Sequence, residues 1–278
     1  MGIAINTNVQ SLSAQRALTK VKKDQGQALE RLASGSRINR AGDDAAGLAI
    51  SENLKANIRS SRQASRNASD GISMIQVAEG GLNEVSNILI RLRELSIQSS
   101  SDTIGNDERK FTDLEFQNLM QEVERISQST RYNEQLLLNG QGDKFDFQIG
   151  IRNSPEYDRI SYNAGEANST TEGLNLGGMG VSEKVQSQEN LETIDGAIKN
   201  VNGQRANLGA LQNRLSSTVE NLLIQTENLS AANSRIRDTD VAEESAELAR
   251  ANILDQATTS VLAQANQSKR TALGLISG

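Results

Sequence analysis

The chain of 278 residues contains no cysteine, no histidine and no tryptophan, and it has a single proline. Without thiolate or imidazole, a Cys nucleophile, a His-based triad and a zinc site are all excluded. The chemistry left is that of carboxylate, lysine, serine and tyrosine. No disulfide can hold the fold, so cysteine usage says nothing about redox compartment. Aromatics make up 3% of the residues and hydrophobic residues 36%, too few bulky side chains to fill a globular core of this length. Packing between helices fits better. No run of 18 apolar residues occurs, and the opening MGIAINTNVQ has neither a basic n-region nor an apolar h-region. The expectation is therefore no membrane span and no cleaved signal peptide. A net charge of -6 argues against nucleic acid as the main partner, since that calls for a concentrated positive face.

What is present is helical periodicity. Stepping alternately three and four residues from Gly47 gives Ile50, Leu54, Asn57, Ser61, Ala64, Ala68, Gly71, Ile75, Ala78, Leu82, Val85, Leu89 and Leu92. A repeat sustained this long signifies a left-handed coiled coil. Downstream, Ile194, Ala197, Val201, Gln204, Leu208, Leu211, Leu215, Thr218, Leu222, Gln225, Leu229, Ala232 and Ile236 keep the same alternation. The two stripes pack against each other most simply as antiparallel partners. A shorter stripe, Phe116, Leu119, Val123 and Ile126, predicts one more helix on the same bundle.

Both ends carry further helix. Ala14, Leu18, Val21, Gln25, Ala28 and Leu32 step four and three again, whereas the alanine-rich C-terminal arm spreads Leu248, Ile253, Leu254, Val261 and Leu262 over more than one side. Such a helix wants burial by more than one neighbour. Charge also differs between the ends: residues 1 to 43 hold seven basic and three acidic groups, net +4, and residues 238 to 278 hold three basic and six acidic groups, net -3.

Two breaks separate these arms from the long stripes, SGSRINRAGDDAAG (Ser34 to Gly47) and SRIRDTD (Ser234 to Asp240). The first reads as a joint: Gly35 and Gly42 end or break the N-terminal helix, and Asp43 or Asp44 caps the next one. Between the long helices, Phe145, Phe147, Ile149 and Ile151 alternate with polar residues, Pro155 marks a turn, and Ile160 and Tyr162 resume the alternation, the pattern of a β-hairpin. EGLNLGGMG, from Glu172 to Gly180, reads as a flexible loop. Its glycines lack the strand-turn-helix context of a phosphate-binding fingerprint.

The expected fold is mainly α, an elongated antiparallel coiled-coil helical bundle with a small β-hairpin region and paired terminal helices. The domain reading joins residues 1–42 with 238–278 as an inner terminal domain. It joins 43–186 with 187–237 as a rod-like core that includes the hairpin at about 144–163. The acidic pairs Asp43/Asp44 and Glu243/Glu244 sit at helix starts, where capping explains them, so no enzyme is expected. NGQGDKFD lacks the spacing and terminal Glu of a calcium loop, and no metal or cofactor is assigned.

The strings MGIAINTNVQSLSAQRAL, LERLASGSRINRAGDDAAGLAISENL, NASDGISMIQVAEGGLNEV and LRELSIQSS closely resemble the N-terminal region of bacterial flagellin. NVNGQRANLGALQNRL, NLSAANSRIRDTDVAEESAELARANIL and VLAQANQ resemble its C-terminal region. The resemblance covers roughly the first 130 and last 90 residues, and it implies a short member whose outer domains are absent or minimal. It implies a subunit that self-assembles into the filament used for swimming, exported through the flagellar channel without a cleaved signal peptide. Its expected partners are further copies of itself, an export chaperone, and junction and cap proteins, with no nucleic acid and no membrane. The arms, with Leu18, Val21, Leu32, Ile253, Leu254, Val261 and Leu262, would line the channel and polymerise. Gly35, Arg37, Arg40, Gly42, Asp43 and Asp44 would form the spoke between layers. Matching positions for the vertebrate Toll-like flagellin receptor are Arg91, Leu95 and Glu115. A hook-filament junction protein and a secreted coiled-coil binding protein are the alternatives.

Overall fold

Heptads without proline over long stretches leave the backbone one economical solution, and the structure adopts it. The computed structural model describes residues 7–277, with side chains as far as Ser268 and that of Thr271. The opening MGIAIN and the side chains of the LGLISG ending lie outside the described residues. Five helices are present among them: α1 (Val9–Ser34), α2 (Ala45–Ser99), α3 (Asn106–Ser129), α4 (Lys184–Arg237) and α5 (Val241–Ser277). Two antiparallel hairpins lie between α3 and α4, β1 (Arg131–Tyr132) with β2 (Gln135–Leu136) and β3 (Lys144–Gln148) with β4 (Arg159–Asn163). The fold is mainly α with a small β region.

The chain divides into two compact units, one from residues up to Ala56 and from Asn228 onward, the other from Asn57 to Glu227. The continuous apolar core belongs to the second unit, running from Ala68 to Leu215 in sequence. Ala68, Ile75, Ala78, Leu82, Val85, Leu89 and Leu92 of α2 are all buried, facing Ile194, Ala197, Val201, Leu208 and Leu215 of α4. Leu82 lines one pocket with Leu208 and Leu211, while Arg93 of α2 ion-pairs Asp195 of α4 at 2.6 Å. The two helices are therefore antiparallel within this unit. Phe116, Met120, Val123 and Ile126 add α3 to the same core. Small residues let elements approach: Gly71 lies against Phe147 and Gly81 against Leu138.

The α2 stripe departs from its sequence-based register at the start. Ile50 is exposed and Asn57 half-buried, while Ser51 and Ile58 take the covered positions. Ser51 Oγ donates to Asn233 Oδ1 at 2.8 Å, so a small hydrogen-bonded residue holds the seam where isoleucine was expected.

In the larger hairpin Phe145 faces Tyr162 and Phe147 faces Ile160, with the Phe145 and Tyr162 rings stacked at 6.3 Å. Strand β3 stops at Gln148, and Ile151 falls in the turn, 36% exposed. Tyr162 donates to Leu137 O at 3.1 Å, and burial pushes its hydroxyl pKa up to about 12.

The segment Glu172 to Gly180 is not the flexible loop expected from its glycines. Leu174, Leu176 and Val181 are buried, and α3 fixes the backbone: Gln117 Nε2 donates to Met179 O, and Asp113 Oδ1 accepts from Val181 N. Glu124 accepts from both N and Oγ1 of Thr171; burial pushes its carboxyl up, but these bonds and one from Gln128 hold it below its ordinary value. Three apolar side chains and these anchors outweigh the backbone freedom of glycine.

Candidate functional site

The first unit holds both breaks read from the sequence, and it joins them. Helix α1 ends at Gly35 in the left-handed conformation (φ 68°), which glycine adopts without steric cost. Immediately after, Arg37 N donates to Arg237 O at 2.6 Å and Thr239 N to Gly35 O at 3.1 Å, a short antiparallel bridge between the two segments. Arg37 adds a side-chain bond to Ile236 O, and Arg237 ion-pairs Glu52, holding the Glu52 carboxyl below its ordinary value. Arg40 reaches back to α1, gripping Glu30 through Nε at 3.1 Å and Nη2 at 2.9 Å.

The two aspartates divide the capping work. Asp44 Oδ1 accepts from Gly47 N at 2.8 Å and starts α2. Asp43 Oδ2 accepts from the backbone N–H groups of Arg40 and Asn39, which hold its carboxyl below its ordinary value. Gly42 meets nothing and is not in the left-handed region. Ile38 fills the interior of this joint.

Beyond the joint α1 and α5 pair antiparallel. Arg31 faces Glu244 at 3.6 Å, Gln25 bonds Asn252 at 2.6 Å, and Asn8 and Ser11 reach Ala265 O and Asn266, both at 2.9 Å. Leu18, Val21, Leu32 and Leu262 line this seam, half-buried, whereas Ile253, Leu254 and Val261 are exposed. Thus the expected polymerisation residues fall into two groups, four spent on pairing within the chain and three left uncovered. Val9, Leu12, Leu29 and Val241 are also exposed. Sequence periodicity could have found Val9 and Leu12, since they step along α1 in a phase opposite its seam.

The seam itself is thin. Among the described residues the buried apolar ones of this unit are Ala14, Ala28, Ala251 and Ala265 together with Ile38, and Asp255 Oδ1 is buried there with no hydrogen-bond partner among them. Such a group costs about 1–3 kcal/mol. Beside the seam runs a groove of about 630 Å³ bordered by Ala14, Ala17, Ala257 and Val261.

In the second unit Arg91 and Glu115 are exposed and paired, Nη2 to Oε1 at 2.7 Å, with Glu94 on the other side of the guanidinium at 3.0 Å. Leu95, 1% exposed, fills the core instead. A partner touching this surface would meet Arg91 and Glu115, and Leu95 could act only by supporting them.

A mainly α coiled-coil protein whose two ends pair through small residues and leave larger apolar ones uncovered belongs to the class of assembling helical subunits. The comparisons give the family. Residues 5–143 match the bacterial flagellin N-terminal helical region and residues 191–276 its C-terminal helical region. A flagellin of Halalkalibacterium halodurans is 45% identical over 273 residues, covering 98% of this chain and 99% of its own. Flagellin FlaB1 of Treponema pallidum is 39% identical over 289 residues, with the same coverage. The crystal structure of Bacillus cereus flagellin superposes with a TM-score of 0.51 at 25% identity, over 60% of this chain and 94% of that one. The chain belongs to the bacterial flagellin family.

Proposed function

We propose that the chain is a structural subunit of the bacterial flagellar filament, outside the cell, and that it works by self-assembly for swimming motility. The observation that carries this reading is the pair of terminal arms, whose seam buries mainly alanine while Ile253 (67% exposed), Val261 (54%) and Leu254 (45%) stay in water. Covering one such residue contributes about 1.5–3 kcal/mol, so a few repeated in every copy make a stable polymer. No helix among the described residues is long and apolar enough to cross a membrane. The finer reading includes export through the flagellar channel without a cleaved signal, with chaperone, junction and cap proteins as partners. In it the arms form the channel lining and the Gly35 to Asp44 joint the spoke.

The test is elongation of sheared filament seeds by purified protein. The full chain adds micrometre lengths, and a chain lacking the last twenty or so residues adds none while keeping its second unit folded. Long filaments from the truncated chain would refute the reading. A junction protein would bind seeds without elongating them.

A second role, as ligand of a vertebrate Toll-like receptor, rests on the exposed Arg91–Glu115 pair. Arg91→Ala should weaken receptor activation by about tenfold or more, as loss of an interfacial arginine does. Equal potency of the variant would remove this role.

A further inference from the structure

The outward face of α1, opposite its seam with α5, is apolar at one end and basic beyond it: Val9, then Arg16, Lys20 and Lys23. All are exposed, and among the described residues none of the three cations makes an ion pair. On one flank of α5 the order is complementary. Asp240, Glu243 and Glu247 come first and Leu254 follows, all exposed, with Glu247 held only by its helical neighbour Arg250.

These two faces cannot meet within one chain. Arg31 faces Glu244 and Gln25 faces Asn252, so Lys20 lies opposite residues near 256, about 13 residues or 19 Å along the axis from Glu243. The acidic residues in turn stand opposite Leu29 and Ala33, and the two charges between these are already spent, Arg31 on Glu244 and Glu30 on Arg40.

The spacings nevertheless match when the helices run antiparallel. Steps of three and four separate Lys23, Lys20 and Arg16, and the same steps separate Asp240, Glu243 and Glu247. One axial offset therefore sets Lys23 against Asp240, Lys20 against Glu243, Arg16 against Glu247 and Val9 against Leu254 together. The geometry points to a second copy of this chain as the occupant: α1 of one molecule lies antiparallel along the outer flank of α5 in its neighbour, displaced by about 19 Å from the register used inside the chain. The stripes choose the neighbour's register, and the uncovered apolar residues supply the adhesion. Opposite charge on a polar rim sets orientation and rate more than total affinity.

This inference rests on the filament reading, and charge exchange separates the two. In seeded elongation at low ionic strength, Lys20→Glu and Glu243→Lys should each slow growth by about tenfold or more, because the like-charge contact recurs in every copy. The double variant Lys20→Glu/Glu243→Lys should return to within about threefold of the parent rate, as coupled contact pairs do. Far-UV circular dichroism of each monomer should match the parent, since both positions are exposed. Parent protein that elongates while both single variants do so equally well overturns the stripe pairing and leaves the filament reading standing. So does a double variant no faster than the singles. Parent protein that fails to elongate seeds overturns both.

Discussion

The bundle of the second unit and the paired arms of the first are written in the same three-four repeat, yet they end in different states. In the bundle the covered positions carry Ile75, Leu82, Leu89, Leu92, Phe116, Ile194 and Leu215, each essentially without exposure. In the arms they carry Ala14, Ala28, Ala251 and Ala265. Period determines that a helix pairs, whereas side-chain volume determines how much the pair gains. Three helices and the larger hairpin bury a continuous apolar core in the bundle, although Phe111, Leu114, Leu223 and Ile224 stay exposed outside it, whereas the two arm helices fully bury alanine and cover Leu18, Val21, Leu32 and Leu262 only in part. A stable module and an unfinished one thus share a single pattern.

The sharpest way to break this contrast is to truncate two large residues in the second unit and one in the first. Phe116→Ala empties the centre of the bundle and should cost about 3–5 kcal/mol, and Leu89→Ala about 2–5 kcal/mol. Ile253→Ala in the isolated chain should stay within about 0.5 kcal/mol, as for an exposed site, while slowing filament growth. Denaturant melts of the three monomers check the order. Comparable losses at Phe116 and Ile253 would mean that the arms are closed in the lone chain.

Glycine offers a second test. A Cβ at Gly81 would stand 2.7 Å from both Leu138 Cδ1 and Thr130 Oγ1, whereas Cβ atoms at its neighbour Gly80 and at Gly26 of α1 would meet nothing within 4 Å. Gly81→Ala should therefore cost about 1–3 kcal/mol through overpacking. Gly80→Ala and Gly26→Ala should stabilise by up to about 1 kcal/mol through helix propensity. Thermal melts that move Gly80 and Gly81 variants the same way would contradict the packing described.

The short hairpin β1–β2 provides a smaller effect. Its two-residue turn places Asn133 at φ 47° and Glu134 at φ 69°. Asparagine tolerates this region and glutamate does not. Glu134→Gly should stabilise the second unit by about 0.5–1 kcal/mol, read as a rise in melting temperature.

Much of the fold is legible in the sequence because period is a local property. The Leu82 to Leu92 and Ile194 to Leu215 stripes, the α3 stripe and the Phe145/Tyr162 alternation all correspond to buried or half-buried faces. The exceptions have long-range causes. Ser51 displaces Ile50 because Asn233, far away in sequence, meets its hydroxyl. The segment around Leu176 packs because Asp113 and Gln117 of α3 hold its backbone. Glu134 carries no turn signature that would have announced β1–β2. Among the candidate sites, the apolar character of Ile253 and Leu254 could be read from composition, but not that Leu262 would be spent on the intrachain seam. Nor could periodicity alone reveal that Leu95 is enclosed, since its neighbour Arg91 is exposed only one helical turn away.

The joint supplies the smallest and most local test. Asp43 is exposed, and its carboxyl is lowered first by the Arg40 N–H bond and then by that of Asn39, against a desolvation that would raise it. A carboxylate whose pKa is lower in the folded state contributes stability above its unfolded value, and that contribution is lost as pH falls through the folded value. The turn Asn39–Asp43 should thus hold at neutral pH and loosen only below the ordinary value of 3.8. Asp43→Asn removes the charge at every pH, so parent and variant should differ at pH 7 and converge once the parent carboxyl is protonated. A carboxyl NMR titration of Asp43 with its midpoint at or above 3.8 would show that the turn does not grip the carboxylate. The first unit would then have a looser hinge at its joint, as well as thinner packing in its arms.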